Sequence, residues 1–306
     1  MNVDQLTATF RQHGARHVLL GSRPLVIFLY QTTYDLNWTW LDHLFNELIV
    51  LLHDKPLRTY PRRTELVWEA RKLGDIQVLD DIAQLAKEER FQYRPRTCSG
   101  SGPCVLIGHP RTTQKRSNSC GSRNVRIISC RTKQLRCQAL GGLPATKQQA
   151  IGTVVYFHQE FVDSFDSIGE FRVFLVCERC SHALRGRRAR VIHTIRTSWN
   201  KDNDIIALNA TATDLYWIES KLSYQDLHEF ALYIMFCLRD RHDWEENFES
   251  LEVGVRLDVA ISNDGRFFVN EITRWYAADF FSLSTLGPPQ TQLCSFYATA
   301  LHEYFS

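Results

Sequence analysis

Gly254-Val255-Arg256-Leu257-Asp258-Val259-Ala260-Ile261-Ser262-Asn263-Asp264-Gly265-Arg266-Phe267-Phe268-Val269-Asn270-Glu271-Ile272-Thr273-Arg274 sets two alternating β-branched and aromatic runs around an Asp-Gly pair. That is a strong short-range signal for a β-hairpin. With Asp264 and Gly265 at the centre of a two-residue turn, Asn263 faces Arg266. Counting outward sets Asp258 opposite Glu271, both on one face. Like charges directly opposed in a sheet repel. Hard oxygen ligands of this kind suit Mg²⁺ held jointly with substrate phosphates. Leu257, Val259, Ile261, Phe268 and Ile272 are expected on the other face, as core. Two alternatives stay open. Arg256 or Arg274 could pair with the carboxylates as ordinary ion-pair partners. A three-residue turn would slip the register by one and put Asp258 and Glu271 on opposite faces.

At 306 residues the chain is long enough to bury a substantial core, in one large domain or two. Its apolar, aromatic and charged fractions are those of a soluble globular protein. The longest apolar-rich stretch, from Leu41 to Leu52, is broken by Asp42, His43, Asn46 and Glu47, which excludes a bilayer span. The opening Met-Asn-Val-Asp-Gln lacks a basic region followed by an apolar one, so a cytoplasmic location is expected. Nine scattered cysteines are an odd number and point to free thiols. Cys177 and Cys180, with His182 nearby, make half a zinc motif, and two strand-end thiols are the simpler reading. Net charge is +2, but from Phe91 to Gln159 there is no Asp or Glu at all. Arg94, Arg96, Arg111, Lys115, Arg116, Arg126 and further cations fill that stretch. A positive field of this kind attracts nucleotide phosphates, nucleic acid or an acidic partner.

Hydrophobic spacing predicts a mixed α/β chain, with elements of α+β type. Helices are expected at 2–12, Asp35–His53, Thr64–Leu73 and Asp81–Glu89, with a short strand at Gln77–Leu79. Pro24–Tyr30, Cys104–Ile107, Asn124–Cys130 and Val154–Val162 read as strands. Gln114–Ser122 reads as a polar loop whose N–H groups and cations could meet phosphates. Glu170–Cys177 alternates strictly, with Arg190–Thr197 as its antiparallel partner. Leu222–Arg239 is the clearest helix, with Leu227, Phe230, Ala231, Ile234, Met235 and Leu238 on one stripe.

This order of strand, polar loop, strands, Arg-bearing strand, helix and acidic hairpin resembles the ATP-grasp superfamily over roughly residues 103–283. Gln159-Glu160-Phe161-Val162 followed by Phe171-Arg172-Val173-Phe174-Leu175-Val176 is similar to the hinge and next strand of its glutamate-ligase branch. Asn270-Glu271-Ile272 with the trailing Arg274 is similar to the carboxyaminoimidazole ribonucleotide synthetase type. The resemblance implies a two-lobed fold of mixed and antiparallel sheets with flanking helices. Residues 1–102 would be an N-terminal α/β region and 103–306 the ATP-grasp-like domain, divided into a smaller lobe (103–158) and a larger one (159–306). It implies that Glu160, Phe161 and Val162 hold adenine and that Glu170 meets the ribose. Arg172, Arg196 and Arg274 would be catalytic, facing the phosphates or the acyl-phosphate. Lys115, Arg116, Ser117, Ser119, Gly121 and Ser122 would close over the β- and γ-phosphates. Asp258, Glu271 and Thr273 would hold Mg²⁺. Where the family's strand before the phosphate loop ends in Lys-Pro, the assignment of Cys104–Ile107 as that strand puts Gly108 or His109, and Lys115 would substitute by reaching in from the loop. Thr273 replaces the usual metal-binding Asn. From their place just past the hairpin, Thr273, Arg274, Trp275 and Tyr276 are expected near the acyl substrate, with aromatic core as the alternative for the last two.

The implied activity is an ATP- and Mg²⁺-dependent ligase. It would join a small-molecule or peptide carboxylate, through an acyl-phosphate, to an amine. The alternative is a catalytically degenerate ATP-grasp module that binds nucleotide or assists assembly. Nucleic-acid binding comes third, because no Lys-x-Asp/Asn-Gly nucleophile motif accompanies the basic stretch.

Overall fold

The structure, a computed structural model, describes residues 25–27, 57–62, 64–65, 72–98, 104–116, 125–128, 156–182, 186–199, 205–215, 222–275 and 288–305. The chain divides into two compact units, Met1–Gly74 with Arg96–Phe161 and Asp75–Pro95 with Val162–Ser306. The expected helices at 2–12 and Asp35–His53, and residues Ser117, Ser119, Gly121, Ser122 and Tyr276, lie outside the described residues.

In the first unit β1 (Leu25–Ile27) pairs in parallel with β2 (Leu57–Thr59). A second, antiparallel sheet has the order β3-β6-β4-β5, formed by β3 (Thr97–Cys98), β4 (Thr112–Arg116), β5 (Arg126–Ile128) and β6 (Tyr156–Glu160). The predicted strand Cys104–Ile107 is instead a turn, closed by the Ile107 and His109 amides donating to Cys104 and Leu106. Leu106 is buried while Val105 and Ile107 are exposed. The sequence predicts a strand there because Cys-Val-Leu-Ile is a short continuous apolar run, a pattern that does not tell a strand from a turn with one buried side chain.

The second unit is built on a five-stranded antiparallel sheet of order β11-β10-β7-β8-β9. Its strands are β7 (Glu170–Arg179), β8 (Arg187–Trp199), β9 (Ile205–Asn209), β10 (Gly254–Ile261) and β11 (Phe267–Arg274). Its longer helices among the described residues are α1 (Lys72–Leu85, from Asp75 on), α2 (Tyr224–Arg239) and α3 (Pro288–Phe305). The spacing predicts two helices around a strand at Gln77–Leu79, but α1 runs through that strand from Lys72 to Leu85, and residues 66–71 of the first predicted helix lie outside the described residues. Ile76, Leu79 and Ala83, with Val78 and Ile82, are buried at steps of three and four, so one helical face goes inside. α2 carries its predicted stripe, and Ser223 caps it. Ser223 Oγ accepts from the Asp226 amide at 3.2 Å, and the Ser223 amide donates to Asp226 at 2.8 Å. Such a reciprocal box satisfies two amides that a helix start leaves bare. α3 and β9 are elements the sequence pass does not predict. No helix among the described residues is long and apolar enough to cross a membrane.

The hairpin departs from its predicted path twice. The Ser262 amide donates to the Arg266 carbonyl at 2.7 Å, leaving a three-residue turn, with Gly265 at φ 82. That slip places Phe268 opposite Ala260, so Phe268 leaves the predicted core set and packs with Val162, Ala260, Tyr93 and Phe165. A bulge between Asp258 and Val259 on one strand, and Val269 and Glu271 on the other, then absorbs Asn270. The two one-residue shifts cancel, and Asp258 stands opposite Glu271. Beneath, Val255, Leu257, Val259 and Ile261 share a buried face with Phe171, Val173 and Leu175, each side chain supplying about 1.5–3 kcal/mol.

Gly169 sits at the entry to β7 with φ 88, and a Cβ there would lie 1.8 Å from the Thr197 carbonyl oxygen. Gly169→Ala is therefore expected to cost about 3 kcal/mol. Urea denaturation monitored by tryptophan fluorescence measures it, and an unchanged midpoint would contradict the close approach.

Candidate active site

Three neighbouring strands carry the polar face of the five-stranded sheet. Asp258 stands beside Glu271 of β11 on one side and Arg172 of β7 on the other. Alternation along each strand brings Arg256, Thr273 and Glu170 to the same face. Asp258 is 1% exposed, and Arg172 and Arg256 are 3% exposed. Arg256 donates from Nε to one Asp258 oxygen at 2.7 Å and from Nη2 to the other at 2.9 Å. The same Nη2 donates to Thr273 Oγ1 at 2.9 Å. Arg172 Nε lies 3.8 Å from Asp258, and its Nη2 donates to Glu170 at 3.3 Å. Asn270 donates to the other Glu170 oxygen at 3.1 Å.

Among the described residues three carboxyl groups, Glu170, Asp258 and Glu271, thus share one face with two guanidiniums, Arg172 and Arg256. Burial raises the Glu170 carboxyl above its ordinary pKa; Asp258 and Glu271 add to the rise, while Arg172 and Asn270 oppose it. Burial opposes the Arg256 charge, yet Asp258 beside it outweighs burial and holds that guanidinium above its usual value.

Among the described residues no group of three or more His, Cys, Asp or Glu is arranged to hold a metal ion alone. An Mg²⁺ that arrives with phosphates needs only one or two protein carboxylates. Asp258 and Glu271 fit that need as oxygen donors in register on one face, with both Asp258 oxygens also accepting from Arg256, the ion-pair partner that the sequence leaves open. Thr273, expected as a further ligand, has its hydroxyl engaged by Arg256.

Two predicted catalytic arginines do not join this face. Arg196 pairs across the sheet with Phe171, which puts it on the opposite face from Arg172, and it bonds Asp214 at 2.7 Å. Arg274 pairs with Val255, on the core face. It is fully buried, with Nη1 bonded to Asp75 and Nη2 donating to Asp75 at 3.1 Å and to the Asn247 carbonyl at 3.3 Å. Trp275 follows it at the strand end. Cys177 is no zinc ligand in waiting: its thiol is buried, pushed up to about 12 by that burial, and donates to the Leu251 carbonyl at 3.3 Å.

In the first unit the strand that enters the polar loop is β4, and it ends on Lys115-Arg116. Gln114, Lys115 and Arg116, predicted within the polar loop, belong to this strand, so Lys115 stands at a strand end as the lysine of the resemblance would. Its Nζ donates to Gln159 at 2.8 Å, and Gln159 donates to Thr97 at 3.1 Å. His109 lies before the strand, just past the turn, so it does not occupy that place. Glu160 ends β6, accepting from the Arg96 amide at 3.2 Å, and Phe161 lies 3.9 Å under the Arg111 guanidinium. In the second unit Val162 is buried beside Ala260 and Phe268.

Sequence reasoning leaves two members of the polar face without a site role. Arg256 is two residues from Asp258, so strand parity alone could have placed it there. Asn270 carries no such signal, because only the bulge turns it to this face.

No protein-family model matches the chain, and no curated protein is similar to it in sequence. Among solved structures, the crystal structure of the D-cycloserine synthetase DcsG superposes with a TM-score of 0.52 over 99% of this chain and 94% of that one, at 16% identity. The chain has the ATP-grasp fold. The ATP-grasp ligase PsnB complexed with minimal precursor gives a TM-score of 0.45 at 15% identity, covering 96% of this chain and 95% of that one. N5-carboxyaminoimidazole ribonucleotide synthetase from Thermotoga maritima gives 0.40 at 14% identity, with 83% and 53% covered.

Because the Glu170 carboxyl is raised, its contribution to stability is full below the ordinary glutamate pKa of about 4.3 and is lost as pH rises through the folded value. Glu170→Gln is expected to gain on the wild type as pH rises above that range. Urea titrations at pH 4 and pH 8 measure the difference, and a gap that moves in favour of the wild type at pH 8 contradicts it.

Proposed function

We propose that the protein is an ATP- and Mg²⁺-dependent ligase that activates a carboxylate as an acyl-phosphate and joins it to an amine. The observation that carries this reading is the buried face on which Asp258 and Glu271 lie in register beside Arg172 and Arg256. Opposed carboxylates, one buried and one half-buried, can share a divalent cation together with the phosphates that complete its ligand shell. When bound, Mg²⁺ would neutralise phosphoryl charge. Asp258 and Glu271 would hold it.

The residues of each unit have their own work in this reading. Arg172 would meet equatorial oxygens of the transferred group, because planar guanidiniums bind such oxygens well, while Arg256 would orient Asp258 through its paired bonds. Their positions are fixed beforehand by Glu170, Asp258 and Thr273, so little rearrangement accompanies charge development. Lys115 would supply a phosphate-binding charge from the end of β4. Backbone and side chains at Glu160 and Phe161 would serve the base. The protein contributes position and neutralisation rather than covalent chemistry. Six free cysteines among the described residues agree with work in a reducing compartment, so a cytoplasmic site of action belongs to the proposal.

Calorimetric titration with ATP, with and without Mg²⁺, is the first test. Binding is expected to need Mg²⁺ for full affinity. Asp258→Asn and Glu271→Gln are each expected to lose about 10- to 100-fold of that affinity. Phosphate release should then depend on a carboxylate and amine pair. Undiminished Mg²⁺-dependent binding in both variants would sink the metal assignment. Tight binding without acceptor-stimulated release from any pair would turn the proposal toward a nucleotide-binding module.

A further inference from the structure

Glu271 stands on β11, and β11 is an edge strand, held by β10 on one side only. It is also interrupted by the bulge at Asn270. An edge strand with a broken ladder is a poor platform for a side chain that must hold a fixed position, since half its carbonyls lack a strand partner. Here two buried arginines grip it on either side of Glu271.

Arg94 bonds the carbonyl of Val269, the residue next to the bulge, through Nη1. Its Nε donates to Asp80 of α1 at 2.8 Å, and its side chain is 9% exposed. Three residues beyond Glu271, Arg274 is bound by Asp75 on the same helix. α1 therefore holds β11 through one guanidinium on each side of the bulge and the carboxylate.

We propose that Arg94 is a positioning residue for Glu271. By fixing the Val269 carbonyl it keeps the bulge in the form that turns both Asn270 and Glu271 to the polar face. Asn270 then anchors Glu170, and Glu271 faces Asp258. This rests on the assignment of Asp258 and Glu271 as the magnesium pair. The energetics favour a geometric role over a stabilising one. Burial drives the Arg94 guanidinium below its ordinary pKa and the Asp80 carboxyl above its own, each shift outweighing the attraction between them. A pair that resists its own charges contributes position more than stability.

The test compares wild type, Arg94→Met and Arg94→Lys, using ADP as probe in calorimetry with and without Mg²⁺, beside crystal structures of each. Methionine fills a similar volume without a donor, whereas lysine keeps a donor for Val269. Arg94→Met is expected to lose about 10-fold or more of the Mg²⁺ enhancement of ADP affinity, with Mg²⁺-free affinity unchanged. Arg94→Lys is expected to retain most of the enhancement. An equal loss with and without Mg²⁺, or none, overturns the proposal, because general loosening would not single out the metal. If the wild type itself shows no Mg²⁺ enhancement, the magnesium assignment has failed and the crystal structures decide about Arg94. Loss of the Asn270–Glu170 contact in Arg94→Met then supports its positioning role, and an unchanged bulge overturns it. Should Arg94→Met not fold, Arg94→Gln, which keeps polarity but falls short of the carbonyl, takes its place in both measurements.

Discussion

Opposed carboxylates on a buried sheet face repel one another, and the second unit is organised around that repulsion. Asp258 and Glu271 face each other across β10 and β11, and Glu170 adds a third negative charge from β7. Removing water strengthens both the repulsion and any attraction that answers it. Arg256 answers with both donors on Asp258, and Arg172 lies between Asp258 and Glu170. The opposition of Asp258 and Glu271 that remains is what the proposed cation would relieve. Below it, the apolar side of the same strands supplies the burial that holds these charges in place. One sheet therefore does two things at once, because a strand alternates its side chains between two faces.

The hairpin was legible for a reason that is partly accidental. A two-residue turn and a regular ladder predict Asp258 opposite Glu271. The chain reaches that pairing with a longer turn and a bulge, two shifts of opposite effect. Between the turn and the bulge the prediction is out by one, which is where Phe268 changes sides. Local turn chemistry underdetermines loop length, and nothing around Asn270 marks it as the extra residue. Arg274 is a different case. It lies three residues from Glu271, an odd number, so the strand period alone excludes it from the carboxylate face. Arg196 could not be placed that way, since its face depends on a register set through the β7–β8 connection and the irregularity at Phe174 and Leu175.

Lys115 and α1 show how periodicity misleads when a short segment fits two patterns. Cys104-Val105-Leu106-Ile107 is a continuous apolar run although it forms a turn, and this drew the phosphate-loop strand too early. Moving that strand to Thr112–Arg116 brings a lysine to its end. Gln77-Val78-Leu79 fits a strand by composition, yet it lies within a helix whose buried positions recur every three or four residues. The sequence also gives no hint that Asp75 and Asp80 meet Arg274 and Arg94, because each partner comes from a distant segment. Ion pairs between remote positions are products of the fold, not of local pattern.

What the sequence could not name, the structure marks by its concentration of costly features. A bulge, opposed carboxylates, buried arginines and a strained glycine at the entry to β7 all fall on or beside one face. Each alone is an ordinary irregularity. A chain selected for stability alone would have little use for them together, since apolar residues of the same volume would serve the sheet at least as well. Local rules are broken where geometry matters more than stability. The same reasoning separates Arg239 from the site. Its bidentate bond to Glu252 is buried and well formed, yet it ties α2 to the turn before β10, with Arg187 beside it, and no opposed carboxylates or bulge accompany it. That network closes on itself, with Arg187 donating to the Glu252 carbonyl and Arg239 to the Arg187 carbonyl. The carboxylate face differs from it in kind, because Asp258 and Glu271 are set directly opposite each other beside a bulge, an arrangement that costs the sheet stability and that the proposed cation would relieve.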